Sequence, residues 1–570
     1  MFIKVLKFLI FITPDFIVQA LKRNGLLLSN YKKLLIRNGM IGSLLPWQQQ
    51  REVYNLHKQL PQPTEMNSET ELVLLVFQKD LSIIKLTPRI LSLFGRVISV
   101  GTTPISEENK GVFTGRIEKF SDIFDLDFSC NTTLLLVNEG DVFDSALVAS
   151  CSTWRSDNEA VGAYCDKEVW SEKHKEYLPL YYPDWNPDLV LSRGYINSGL
   201  ILQPAMLKSL NTDFSEVKEI AHIATLLAIK CHQVGGRHLL ERIPGVMLTS
   251  QIDSSGSWLN LNGLPFSYQY KEKHAQLTWP CPSEPKVSLI IPTKDAKELV
   301  EQCIVSITQK TTYRNYEIIL VDNGSTDPES ISYFASLEKK NTVKLLHYGG
   351  EFNYSAINNF AVAKCDGDII GLINNDIEVI SPNWLTDMVT RAIRPEIGCV
   401  GAKLLYPNGQ IQHAGVVMGY GGGAGHAHKF FAKEEVGYLG RLVADSNFSA
   451  VTAACLIVDR GTFMKVGGLN ESNLKVAFND VDFCLKVQQL GKYNLLCADA
   501  VLTHHESVSR GDDVSPEKRE RFLGELRYLK DNWTNLIKRD PAYNPYLTLK
   551  SENFALSKEI ANGAIDYNFE

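Results

Sequence analysis

The stretch IIGLINNDIEV, residues 369–379, drives an apolar strand straight into Asn374, Asn375 and Asp376. A buried strand that ends in a carboxylate offers a metal ligand at the C-terminal edge of a sheet, where open α/β sheets bind their ligands. Upstream lie VSLIIPTKD (287–295) and YEIILVDNGSTD (316–327), two more apolar runs that each end in a polar, carboxylate-bearing turn. Three such strands in order predict a nucleotide site. Pro292, Thr293 and Asp295 close the first strand, and Thr293 and Asp295 offer hydrogen-bonding groups to a base. A simpler role for Asp295 is to cap a helix over 296–309. Asp322 ends the second strand, where Gly324 permits a tight turn and Ser325, Thr326 and Asp327 suit capping.

Farther along, EFNYSAINNFAVAKCDGDII (351–370) reads as a helix feeding the strand that carries Asp376, with Asn358 its candidate nucleotide contact. GGLNESNLKVAFNDVDFCLKVQQLG (467–491) sets Asn479, Asp480 and Asp482 at a helix start. Capping and the helix dipole alone favour acids there. VLTHHESVSRG (501–511) places His504 and His505 after another strand, followed by Arg510, which suits phosphate or solvent equally. HAGVVMGYGGGAGHAHKFF (413–431) fits neither GxxxxGK[ST] nor a GxGxxG that follows a strand. It reads as a glycine-rich mobile segment, in which His426 and His428 fit solvent as well as catalysis.

At 570 residues the chain predicts about two to four domains, and its 44% of hydrophobic residues suits globular packing. A net charge of −7 excludes a nucleic-acid partner as the default, since phosphate neutralisation calls for a basic face. Eleven cysteines without a CxxC pair point to free thiols in a reducing compartment. The N-terminal apolar run is broken by Lys7 and by Pro14 and Asp15, so a membrane span is not expected. Residues 1–40 nevertheless carry Lys4, Lys7, Lys22, Arg23, Lys32, Lys33 and Arg37 against Asp15. Such a stretch either lies peripherally on an anionic membrane or forms a helical pair with solvated lysines.

These features divide the chain into a basic amphipathic helical segment (1–70), an α/β domain with its linker (71–280), a second α/β domain (281–515), and a C-terminal helix and tail (516–570). Pro280, Pro282 and Pro285 mark an extended linker over 271–285. TLLLVNEGDVFDSALVASC (133–151) echoes IIGLINNDIEVISPNWLTDMV (369–389): strand, polar turn ending in Asp, amphipathic helix. The first half has no counterpart to DNGSTD. Asp141 and Asp166 are its candidate site carboxylates, with ordinary turn or capping roles as the alternative.

Over residues 286–511 these motifs, in this order, resemble the inverting family 2 glycosyltransferases of bacterial surface-polysaccharide and O-antigen assembly, rhamnosyltransferase-like members among them. The stretches 181–196 (YYPDWNPDLVLSRGYI) and 540–547 (DPAYNPYL) resemble segments of the family's longer members. The resemblance implies an α/β protein whose GT-A (Rossmann-like nucleotide-diphospho-sugar transferase) domain follows a second, degenerate GT-A-like domain. It implies that the turn at Pro292, Thr293 and Asp295 lines a uracil or thymine pocket. Asn374, Asn375 and Asp376 take the place of the family's DxD, and Asp376 with His504 would hold Mg²⁺ or Mn²⁺. Asp480 matches the general base, whereas Asn479 departs from the usual Glu. The implied partners are a UDP- or dTDP-sugar donor and a glycan or lipid-linked glycan acceptor. The implied location is cytoplasmic, or peripheral on the cytoplasmic face of the inner membrane. Two alternatives stay open: a bifunctional transferase with both halves active, and a non-catalytic glycan-binding scaffold.

Overall fold

The computed structural model describes residues 42–78, 86–102, 111–156, 160–236, 238–250, 257–505 and 516–561. The basic stretch 1–40 and Arg510 lie outside the described residues. The apolar runs form strands, because β-branched and leucine-rich segments buried on both faces suit the interior of a largely parallel sheet. In the second half the strands run, in spatial order, Lys344–His347, Tyr316–Asp322, Val287–Thr293, Ile369–Ile373, Cys455–Asp459, Ile397–Leu405, Tyr493–His504 and Ile377–Val379. The first four are mutually parallel, Cys455–Asp459 runs against both its neighbours, and Ile377–Val379 closes the edge antiparallel to Tyr493–His504.

The first half repeats this plan. Its order is Gly115–Ile117, Arg96–Val100, Glu71–Phe77, Thr132–Asn138, Leu200–Leu202, Gly162–Ser171, Leu240–Ser250 and Val142–Phe143. Each neighbouring pair has the same parallel or antiparallel sense as its counterpart in the second sheet. The faint echo between residues 133–151 and 369–389 is therefore the trace of a duplicated fold. The expected extended linker is partly structured: Ala275–Thr278 pairs with Ser267–Tyr270 as a hairpin, leaving only the proline-bearing end extended.

The halves meet through buried polar groups. Arg394 pairs with Asp188 at 2.8 Å and with Glu396 at 2.7 Å, and lies 4.1 Å over the Trp279 ring. Asn186 caps its helix at the Leu189 amide and exchanges hydrogen bonds with the Asn447 backbone, donating to the carbonyl at 2.8 Å and accepting from the amide at 2.9 Å. Asn186→Ala removes the cap and leaves those groups unpaired, and about 2 kcal/mol of stability is expected to go with it. A lower midpoint of thermal unfolding is the readout; an unchanged midpoint would contradict the role.

The C-terminal helix is broken at Trp533 into Pro516–Asn532 and Thr534–Lys538. Beyond it the tail straps the halves together: the Asp540 carboxylate accepts from the Met418 amide, the Asn544 amide donates to Asp166, and Tyr546 stacks on Tyr181. Helix Trp47–His57 joins this layer through His57, which bonds the Tyr181 hydroxyl and the Ser557 carbonyl. Among the described residues no helix is long and apolar enough to cross a membrane.

Candidate active site

The three sequence-predicted turns come together at one edge of the second sheet. Thr293 and Asp322 are paired in register, and the Asn323 amide donates to the Thr293 carbonyl at 2.8 Å. Asp295 and Ala296 both adopt positive φ, of 52° and 58°, a strained arrangement for residues with a Cβ. The strain turns the Asp295 carboxylate onto the neighbouring loop, where it accepts from the Thr326 amide at 2.7 Å and the Asp327 amide at 2.8 Å. Asp295 therefore does not cap the helix Lys297–Lys310, which has no side-chain cap. Asp322 accepts from the amide and hydroxyl of Ser325, and Asp327 caps the helix Pro328–Lys339. Pro292 is half-buried in the first of these turns.

The Asn375 amide donates to the Thr293 hydroxyl at 3.0 Å, tying the Asn374–Asn375–Asp376 turn to the first strand. Behind it, strand pairing sets Ile377 opposite His504 and brings the His504 Nε2 to 3.1 Å from the Asp376 Oδ1. Adjacent strand residues face opposite ways, so His505 pairs instead with Glu378, at 3.3 Å. The Asn374 amide lies 3.2 Å from the same His504 Nε2. That nitrogen has one in-plane lone pair, so a cation bound beside the Asp376 oxygen would take the place of the Asn374 donor. Two such atoms about 3 Å apart match adjacent corners of an octahedron with bonds of about 2.1 Å. Among the described residues no three His, Cys, Asp or Glu side chains form a metal site by themselves. A hard cation would thus take Asp376 and His504 and fill its shell from phosphate and water, as Mg²⁺ commonly does.

Asp480 sits in the first turn of the helix Asn479–Gln488, half-buried, and its Oδ2 accepts from the Ala453 amide at 3.0 Å. The next residue, Ala454, accepts from the Asn374 amide at 3.0 Å. Residues 453–454 therefore link the Asp480 carboxylate to the Asp376 turn. Sequence reasoning missed this segment, since its contribution is backbone. It also missed His413, whose Nε2 faces the Gly415 and Thr452 amides, each at 3.4 Å. Burial, with the nearby His426 and His504 imidazoles adding to it, holds His413 well below the usual histidine range and so neutral. The run IQHAG at 411–415, with a histidine at the end of a short strand, was the available signal.

Several expectations are corrected. Asn358 is fully buried, and its amide donates to the Tyr354 carbonyl within its own helix, so it opens onto no ligand surface. Asp482, the neighbouring acid, is held by Trp533 and Lys486. The glycine-rich 413–431 segment is a hairpin, Val416–Met418 against Ala424–His426. His428 is buried, stacked on Phe554 and accepting from the Tyr438 amide, while His426 bonds the Gln412 carbonyl.

In the first half, Asp166 is fully buried and satisfied by the Tyr182 and Gly245 amides, Arg242 and Asn544. Asp141 stands just before Val142–Phe143 as Asp376 stands before Ile377–Val379, yet it accepts from the Asn138 amide and the Ser198 hydroxyl. Thr249 occupies the register position of His504, opposite Val142. The helix Ile220–Gln233, counterpart of Asn479–Gln488, has no acid in its first turn. Asp141 has the ordinary turn role, Asp166 lies within the strand Gly162–Ser171, and neither His504 nor the first-turn Asp480 has a counterpart of the same type in the first half.

Residues 288–445 match the model of Glycosyl transferase family 2. The chain is 38% identical over 460 residues to an uncharacterized protein, y4gI, of Sinorhizobium fredii, covering 74% of this chain and 49% of that one. It is 31% identical over 424 residues to the O-antigen biosynthesis protein RfbC of Myxococcus xanthus, covering 70% and 32%. With the O-antigen chain rhamnosyltransferase RfbN of Salmonella typhimurium it shares 25% identity over 286 residues, 46% of this chain and 84% of that one. The chain thus spans half or less of the length of the first two relatives. A solved mannosyltransferase of Pyrobaculum calidifontis is 16% identical with a TM-score of 0.35, over 49% of this chain and 72% of its own, too distant to carry residues across. Residues 288–445 thus form a family 2 glycosyltransferase domain, and a second sheet of the same topology precedes it in the chain.

Proposed function

We propose that the second half moves a sugar from a nucleotide-diphosphate donor to a hydroxyl of a glycan acceptor, inverting the anomeric carbon, in synthesis of a bacterial surface polysaccharide. The observation that carries this reading is the continuous run of contacts from Asp322 through Asp295, Thr293 and Asn375 to Asp376 and His504, with Asp480 tied to the same backbone through Ala453. The names of the relatives in Myxococcus and Salmonella support the O-antigen class of product.

Thr293, Asp295 and Asp322 would meet the base and ribose of a UDP- or dTDP-sugar. Asp376 and His504 would hold Mg²⁺ or Mn²⁺. Bound there, the cation would neutralise charge developing on the departing diphosphate. Asp480 would take the proton of the acceptor hydroxyl as it attacks the face opposite the nucleotide, since a neutral hydroxyl is a poor nucleophile. The acceptor would be a glycan, free or lipid-linked, which fits a position at the cytoplasmic face of the inner membrane.

A screen of UDP-, dTDP- and GDP-sugars with lipid-linked acceptors tests this reading by acceptor-dependent nucleotide release. Release is expected from one donor; none from any donor would favour a binding scaffold. Because the first half lacks a histidine at the Thr249 position, Asp141→Asn is expected to leave donor turnover within about twofold of wild type, as for a carboxylate with only local hydrogen bonds. A loss comparable to that of Asp376→Asn would instead support two working sites.

A further inference from the structure

A cleft of about 880 Å³ opens between the first half and the loop at Tyr438. It lies against the first half's counterpart of the catalytic edge. Lys167 and Asn197, both on its wall, are hydrogen-bonded to each other. The Asn197 carbonyl accepts from the Asn138 amide at 2.8 Å, and the adjacent Ser198 donates to Asp141. Asp141 is the positional equivalent of Asp376, so a fixed ammonium lies beside this edge, and the imidazole of the second half is absent. A divalent cation no longer fits there. What remains is a ligand edge of an open α/β sheet with a positive charge built into it.

The rest of the wall extends that charge. The exposed Lys173 and Lys273 and the half-buried Arg193 line the cleft with Glu272 as the one carboxylate among its lining residues, and Lys167 is buried behind them, in a chain whose net charge is −7. A walled pocket of one sign focuses its field on an oppositely charged ligand. Between the cations the half-buried Tyr438 offers an apolar ring edge to a sugar, while the buried Trp47, Tyr182 and Tyr195 reach the wall only at their margins. The Trp47 indole N–H is buried and finds no acceptor among the described residues.

We propose that this cleft binds an anionic saccharide, a sugar chain carrying carboxylate or phosphate, at a site separate from the Asp376–Asp480 edge. The exposed cations take the acidic groups, and Tyr438 meets a sugar ring. This site is independent of whether Asp480 transfers sugar, so its test is a binding measurement. Calorimetric titration of the full chain at low salt would compare trigalacturonate, a phosphorylated mannopentaose, neutral maltotriose and inorganic phosphate. Binding by one or both acidic oligosaccharides, weakening as salt rises, is expected, and which one binds identifies the acidic group. Lys173 and Lys273 are exposed, so Lys173→Glu with Lys273→Glu should keep the thermal midpoint while weakening that binding by about 10-fold. No binding by either acidic oligosaccharide, equal binding by inorganic phosphate, or unchanged affinity in the charge-reversed protein would overturn the proposal.

Discussion

Asp480→Asn is expected to lower sugar transfer by about 100-fold or more, the scale associated with loss of a general base. The fold should survive the change. Asparagine retains an acceptor for the Ala453 amide, which binds Asp480 at 3.0 Å, and it remains a favourable residue for the first turn of a helix. Donor binding should persist as well, because Thr293, Asp295 and Asp322 are held by their own turns and not by Asp480. The neighbouring Asp482 offers no substitute, since it is 1% exposed and engaged by Trp533 and Lys486. A folded Asp480→Asn protein that transfers at close to the wild-type rate would rule out the assignment.

Asp376→Asn is expected to reduce turnover by about 100-fold, comparable to removing one preorganised group that stabilises transition-state charge. It should also flatten the response to added Mn²⁺ or Mg²⁺. An amide oxygen is a weaker ligand for a hard cation than a carboxylate, and His504 would be left as the single strong protein ligand. The second readout separates a ligand from a structural carboxylate. His504→Ala should shift the metal response in the same direction, because its Nε2 faces the same Asp376 oxygen. A variant that loses activity but keeps the wild-type dependence on metal concentration would place the cation elsewhere.

The second half was legible in the sequence because its strands are buried on both faces and end in chemically distinctive turns. IIGLINND, VSLIIPT and YEIILVD each carry enough apolar residues to mark a strand and enough polar ones to mark its end. The family resemblance implied His504 rather than His505, and the alternation of a strand, which turns His505 to Glu378, places the two on opposite faces. What the sequence concealed was long-range or made of backbone. The Ala453–Ala454 link between Asp480 and Asn374 has no side-chain signature. Asn358 sits in a helix that the sequence placed correctly, but the structure turns its side chain into the core, where it bonds the Tyr354 carbonyl. The duplication was faint because the first half carries other residues at these positions, such as Thr249, bonded to Glu168, where the second half has His504. Strand order preserves what the residues have lost.

The central claim, that Asp480 delivers an acceptor hydroxyl to the face opposite the leaving nucleotide, is tested most directly by the anomeric configuration of the product. With whichever donor supports turnover, proton NMR of the new glycosidic linkage, recorded before any later exchange, reports it. Inversion relative to the donor is predicted. A product that retains the donor's anomeric configuration would contradict a single displacement assisted by Asp480.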